Sequence, residues 1–121
     1  MNTPTLTVDL DRAGRHLTVY VAGALDAATA PTLTSEVLGH IHDDDQVVWL
    51  DLAAVTFCDS SGTSALARLH EHIKDAGGRL TLYNPAPPVL HVLELCGLDK
   101  VVSIWTQPGA SSPEPVVARD R

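Results

Sequence analysis

Apolar and polar residues alternate strictly in two stretches near the start of the chain. Leu6, Val8 and Leu10 alternate with Thr7, Asp9 and Asp11, and Leu17, Val19 and Val21 alternate with Thr18, Tyr20 and Ala22. A period of two is that of a strand with one wet face. The connection through Arg12-Ala13-Gly14 is short, so the two strands should form an antiparallel hairpin. The period then lengthens. Ala30, Leu33, Val37 and Ile41 make one apolar stripe, with Pro31 where a first helical turn tolerates it, which predicts a helix from about Ala28 to His42. Asp43-Asp44-Asp45 should end it in an exposed loop, because carboxylates are unfavourable at the negative end of a helix dipole.

Val47–Leu52 is an almost solid apolar run, broken by Asp51, and reads as a third strand buried on both faces. Ala65, Leu66, Leu69 and Ile73 recur at helical spacing, so a second helix is expected from about Ser61 to Asp75, stopped by Gly77-Gly78. Leu80 and Leu82 alternate with Thr81 and Tyr83 as a fourth strand. Asn84-Pro85-Ala86-Pro87-Pro88 forces a turn and opens a third helix with Val89, Leu90, Leu93 and Cys96 inward. Gly97 suits the position just past its end, with Leu98 packing back on Leu93. Val101, Val102, Ile104 and Trp105 make a last short strand or extended segment. The order β-β-α-β-α-β-α-β, with right-handed crossovers between parallel strands, predicts a single small α/β domain. Its mixed sheet is mostly parallel, with an antiparallel N-terminal hairpin and about three to four helices. Residues 1–106 are assigned to this domain. Residues 107–121, rich in Pro, Ser and charge, are expected to be a disordered tail whose removal leaves stability nearly unchanged.

Composition narrows the function. The chain has 121 residues, 45% of them hydrophobic, enough for one real core. A formal net charge of −7 argues against direct binding of nucleic acid or an anionic membrane. No signal peptide and no membrane-length apolar segment is visible, so a cytoplasmic protein is expected, with Cys58 and Cys96 as buried free thiols. The sequence leaves the oligomeric state open, a monomer included.

The candidate chemistry lies where the third strand meets the second helix, in Asp59-Ser60-Ser61-Gly62. One of the serines is expected to cap the helix, and capping alone would justify it. Asp59 is an odd residue for the end of a buried strand unless it reaches a surface. Gly62 gives up about 1 kcal/mol of helix propensity relative to alanine, as though a partner's backbone or a phosphate approached there. A phosphoserine would be tolerated at a helix N-terminus. A serine hydrolase is disfavoured, because the Gly-x-Ser-x-Gly elbow is absent and only His70, His72 and His91 follow the serines. Paired histidines two apart, His40 with His42 and His70 with His72, point apart on a helix, and the aspartate triplet matches no calcium loop. Neither metal nor cofactor is therefore expected. A phosphoaspartate receiver built on Asp51 is disfavoured by the β-β-α opening and by the missing lysine near a later strand end.

These residues resemble the STAS family, specifically the bacterial anti-sigma factor antagonists. Phe57-Cys58-Asp59-Ser60-Ser61-Gly62 is similar to the family's apolar pair followed by Asp-Ser-Ser/Thr-Gly, and Gly23-Ala24-Leu25-Asp26 to its Gly-Glu-Leu/Ile-Asp segment. Gly77-Gly78-Arg79-Leu80, Asn84-Pro85 and Leu93-Glu94-Leu95-Cys96-Gly97-Leu98-Asp99 follow in the family's order. The resemblance covers about Leu6 to Trp105. It implies a non-enzymatic phosphoprotein that regulates transcription through protein–protein contacts. Its first motif serine, here Ser60 with Ser61 as rival, would be phosphorylated by an anti-sigma factor that is itself a serine/threonine kinase. The unphosphorylated form would bind that kinase and free a sigma factor. Asp26, Asp59, Ser60, Ser61 and Gly62 would form the partner-binding region. Ala24 where the family has Glu, Thr63 for Leu and Cys58 for Met are departures. The alternatives are an unphosphorylated STAS module in a stress-sensing complex or lipid-transport system, and, from another class, an enzyme using Ser60 as nucleophile.

Overall fold

Strand β1 (Leu6–Ala13) turns back into β2 (His16–Leu25), and the two pair antiparallel from Leu6↔Gly23 to Ala13↔His16 in a computed structural model that describes residues 6–42 and 47–106. Helix α1 (Ala30–His40) then carries the chain to β3 (Val47–Cys58), which lies parallel to β2. Helix α2 (Ser60–Asp75) leads to β4 (Arg79–Tyr83), and α3 (Pro87–Leu95) with a 3-10 turn (Leu98–Lys100) leads to β5 (Ser103–Trp105). The sheet order β1-β2-β3-β4-β5 follows the chain, antiparallel in the first pair and parallel in the rest. The expected mixed-sheet fold is therefore observed.

This order has a geometric consequence. Each parallel strand is added on the same side of its predecessor, so three right-handed crossovers put all three helices on one face of the sheet. That face is the core. Leu17, Val19, Leu50, Leu52, Leu80 and Leu82 point from the strands to Leu33, Leu66, Leu69 and Leu93 on the helices, all at 0 or 1% exposure. The expectation that β3 is buried on both faces is corrected here. Val47, Trp49 and Asp51 are only half-buried, because no described helix covers their side.

Strand β3 also runs six residues past the expected end at Leu52. It pairs with β4 only as far as Asp51↔Tyr83, then continues along β2 alone to Leu25↔Cys58. Register shifts between Tyr20 and Ala22, and again between Gly23 and Ala24, break the simple alternation there, and the Asp51 carboxylate accepts the Ala53 N–H at 2.9 Å. Exposed Ala53 and Ala54 read as a strand end in sequence, whereas the structure uses them in a bulged extension that delivers the chain to α2.

Helix α1 ends two residues before the expected His42. The aspartate triplet and the tail from residue 107 lie outside the described residues. Helix α2 ends on Gly77 at φ 90°, whose N–H reaches the Lys74 carbonyl while the Gly78 N–H reaches Ile73. Leu98 is buried just past Gly97, in keeping with the expected hydrophobic closure of α3. Cys58 is buried as expected, but Cys96 is exposed, since it falls at the cap of α3 rather than on its inner stripe. No described helix is long and apolar enough to cross a membrane.

Candidate functional site

The end of β2 and the start of α2 are joined tightly. The Asp59 N–H donates to the Leu25 carbonyl at 3.3 Å, which anchors the last turn of β3 beside β2. Asp59 is the N-cap of α2, in extended conformation, and its carboxylate accepts the Gly62 N–H at 3.1 Å. Its carbonyl accepts both the Thr63 N–H, at 2.9 Å, and the Thr63 hydroxyl, at 3.1 Å. The expectation that Ser60 or Ser61 caps the helix is thus corrected. The preceding carboxylate does that work, which also accounts for an acidic residue at the end of a buried strand.

The serines are consequently free for something else. Ser60 is the first helical residue and is exposed, and Ser61 follows, half-buried. Neither hydroxyl takes part in a hydrogen bond among the described residues. Ser61 faces a groove of about 520 Å3 between α1 and α2, whose walls include Ala27, Pro31, Thr34, Ser64 and Arg68.

Gly62 is buried, so it is not part of the accessible surface expected for it. A Cβ at this position would stand 2.6 Å from the Leu25 carbonyl oxygen, 2.8 Å from Leu25 Cγ and 3.0 Å from Cys58 Sγ. The close approach inferred from the glycine is real, but the backbone that approaches is the protein's own.

Asp26 lies beside this junction and is half-buried rather than fully exposed. Its Oδ1 accepts the N–H groups of Ala28 and Thr29, at 3.0 and 3.1 Å. The Thr29 hydroxyl donates to the Ala24 carbonyl at 2.7 Å and accepts the Asp26 N–H at 3.0 Å. Asp26 therefore organises the turn that enters α1, and any contact it makes with a partner is added to that role.

Cys58 and Thr63, two of the departures noted above, touch each other, with Sγ and Oγ1 3.9 Å apart. Burial pushes the Cys58 thiol above its usual range, opposed by the Thr63 hydrogen bond and reinforced by the Asp59 charge. It is a buried free thiol packed at the junction of β3 and α2. One residue escaped sequence reasoning. Phe57, quoted above only as part of the motif's apolar pair, is 51% exposed and pairs with Ala24 across the strands, three residues before Ser60. The irregular burial of Thr56 and Phe57 in the bulged extension hides it from any period-two reading. Among the described residues, no group of three His, Cys, Asp or Glu side chains could hold a metal ion.

The chain is similar to an anti-sigma-B factor antagonist of Listeria monocytogenes, with 24% identity over 94 residues that span 78% of this chain and 82% of the relative. Its structure is similar to the crystal structure of an anti-sigma factor antagonist from Mycobacterium paratuberculosis, at a TM-score of 0.75 and 26% identity over 88% of each chain. The same fold occurs in SpoIIAA. The unphosphorylated form superposes with a TM-score of 0.67 and 19% identity over 81% of this chain and 87% of that one. The phosphorylated form has a TM-score of 0.59 and 19% identity over 81% and 90%. The STAS domain model matches residues 7–110, nearly the whole of the five-stranded domain. With that match on this fold, the chain belongs to the STAS domain family.

Proposed function

We propose that the chain is an anti-sigma factor antagonist, a non-enzymatic cytoplasmic binding module that engages an anti-sigma factor serine kinase and so frees a sigma factor. Phosphorylation of Ser60 switches it off. The observation that carries this reading is the division of labour at the α2 N-terminus. Asp59 caps the helix, and the exposed Ser60 hydroxyl has no structural duty. The relatives support the class of function, since curated and solved neighbours are named anti-sigma factor antagonists.

The physical logic of the switch follows from position. A kinase would move the γ-phosphoryl group of ATP onto Ser60 Oγ, adding about −1.5 to −2 charges at neutral pH. The positive end of the α2 dipole offsets part of that charge within the fold, so the domain stays folded. A partner packed on the same surface has no such option. It would meet extra bulk, a dianion to desolvate, and the neighbouring Asp59 on a chain of net charge −7. The partner surface comprises Ser60, Ser61 and Asp59, the Asp26 turn, exposed Phe57 and the groove beside Arg68, with Gly62 setting the helix in place from within. Incubation with the kinase and ATP, then mass mapping of the peptide containing Asp59–Gly62, should place one phosphate on Ser60. Phosphate on Ser61 would move the site by one residue, and phosphate on neither would remove the switch.

A further inference from the structure

The face of the sheet opposite the helices carries an ordered set of side chains that the Ser60 surface does not use. Asp9, Tyr20, Asp51, Tyr83 and Trp105 are register partners in one row across all five strands. Trp49 stands in the adjacent row, its ring centroid 5.5 Å from Tyr83 and 6.4 Å from Trp105. The chain has two tryptophans and two tyrosines, and all four are on this face. Tyr20 is 46% exposed and Trp105 44%. Nothing in the core requires them there, and these are the residue types that anchor interfaces. Asp9 and Asp51 flank Tyr20 and share with it a depression of about 150 Å3. Among the described strand residues of this face, the basic side chains His16 and Arg79 lie at its other end, in the row of Val47.

We propose that this aromatic and acidic sheet face is a second docking surface, and that its occupant is an extended, arginine-bearing polypeptide segment. A guanidinium is the group that uses both features at once, stacking on an indole while pairing with a carboxylate. The row from Asp9 to Trp105 crosses four strand spacings, about 19 Å, which roughly six residues of extended chain would span. Nucleic acid and anionic lipid are repelled by the same carboxylates. A second copy docked face to face would bring two sets of Asp9 and Asp51 together. The surface lies across the sheet from α2, so it can be filled whether or not Ser60 is phosphorylated, and it does not depend on the function proposed above.

Because both tryptophans sit here, intrinsic fluorescence reads the face directly. The full chain is titrated with a capped hexapeptide of alternating arginine and valine, and with its glutamate–valine counterpart. The arginine peptide should give a saturable change in tryptophan emission and the glutamate peptide none. Asp9→Asn combined with Asp51→Asn should weaken binding at least tenfold with an unchanged melting temperature, since asparagine at 51 keeps the oxygen that accepts the Ala53 N–H. Ser60→Asp should bind the arginine peptide as wild type does. The proposal is overturned by the absence of saturation at millimolar arginine peptide, by equal responses to both peptides, or by an unaffected double variant. An emission change that tracks protein concentration alone would assign the face to self-association and equally overturn it.

Discussion

Gly62 and Leu25 touch so closely that a single methyl group would not fit between them: a Cβ on Gly62 would lie 2.6 Å from the Leu25 carbonyl oxygen. This contact fixes the start of α2 against the end of β2, and it places Ser60 and the Asp26 turn on one surface. Two effects oppose each other at this site. Alanine gains about 1 kcal/mol of helix propensity over glycine, but overpacking against backbone costs about 1–3 kcal/mol and displaces the helix. The obstacle here is a carbonyl rather than a flexible side-chain end, so the clash should win. Gly62→Ala is expected to lower unfolding free energy in a urea titration, and an unchanged or raised midpoint would show that α2 shifts without cost.

The cap assignment separates Asp59 from its neighbours. Asp59→Ala should cost about 1 kcal/mol of stability, the usual value of a lost N-cap, whereas Ser60→Ala and Ser61→Ala should cost much less. Asp59→Asn should restore most of the loss, because its amide oxygen can still accept the Gly62 N–H. Thermal melts of the four variants check the order.

Asp26 has a structural duty as well as a proposed contact. Asp26→Ala removes the acceptor for the Ala28 and Thr29 N–H groups and should destabilise the entry to α1 by about 1–2 kcal/mol. Asp26→Asn keeps that oxygen and removes only the charge. If the charge meets the kinase, Asp26→Asn should bind more weakly than wild type while melting at nearly the same temperature. Equal binding would confine Asp26 to the turn.

The two thiols should differ sharply. A thiol reagent at neutral pH should modify the exposed Cys96 quickly and Cys58 only on unfolding, giving one fast equivalent of the two. Burial raises the Cys58 pKa in the folded state, so the unfolded chain loses this proton first. Its contribution to stability is therefore full below the ordinary thiol range and is lost as pH rises through that range towards the raised folded value. Cys58→Ser should flatten that alkaline decline. Two equally fast thiols would show that the β3–α2 junction opens readily.

Much of this was legible in the chain. Alternation at Leu6–Leu10 and Leu17–Val21 and the stripe through Ala65, Leu69 and Ile73 set the element order, and turn residues such as Gly77 marked the ends. Other features were hidden for physical reasons. The extension of β3 past Leu52 runs along one neighbour through a bulge, so it follows neither period. Trp49 and Asp51 look buried in an apolar run, yet the side of the sheet they occupy is decided by crossover handedness. Asp59 and Ser60 are both good caps by type, and only the extended backbone of Asp59 shows which one is used. For Gly62, the sequence signalled a close approach but could not say that Leu25 was the approaching group.

The most direct test of the switch compares the affinity of the anti-sigma factor kinase for the chain before and after phosphorylation at Ser60. Ser60→Ala, measured in the presence of ATP, serves as the form that cannot be switched. The unphosphorylated chain and Ser60→Ala should bind alike, and the phosphorylated chain at least about tenfold more weakly, a loss of roughly 1.4 kcal/mol or more, with its melting temperature nearly unchanged. Equal binding by the phosphorylated and unphosphorylated chains, with the phosphate mapped to Ser60, would contradict the account.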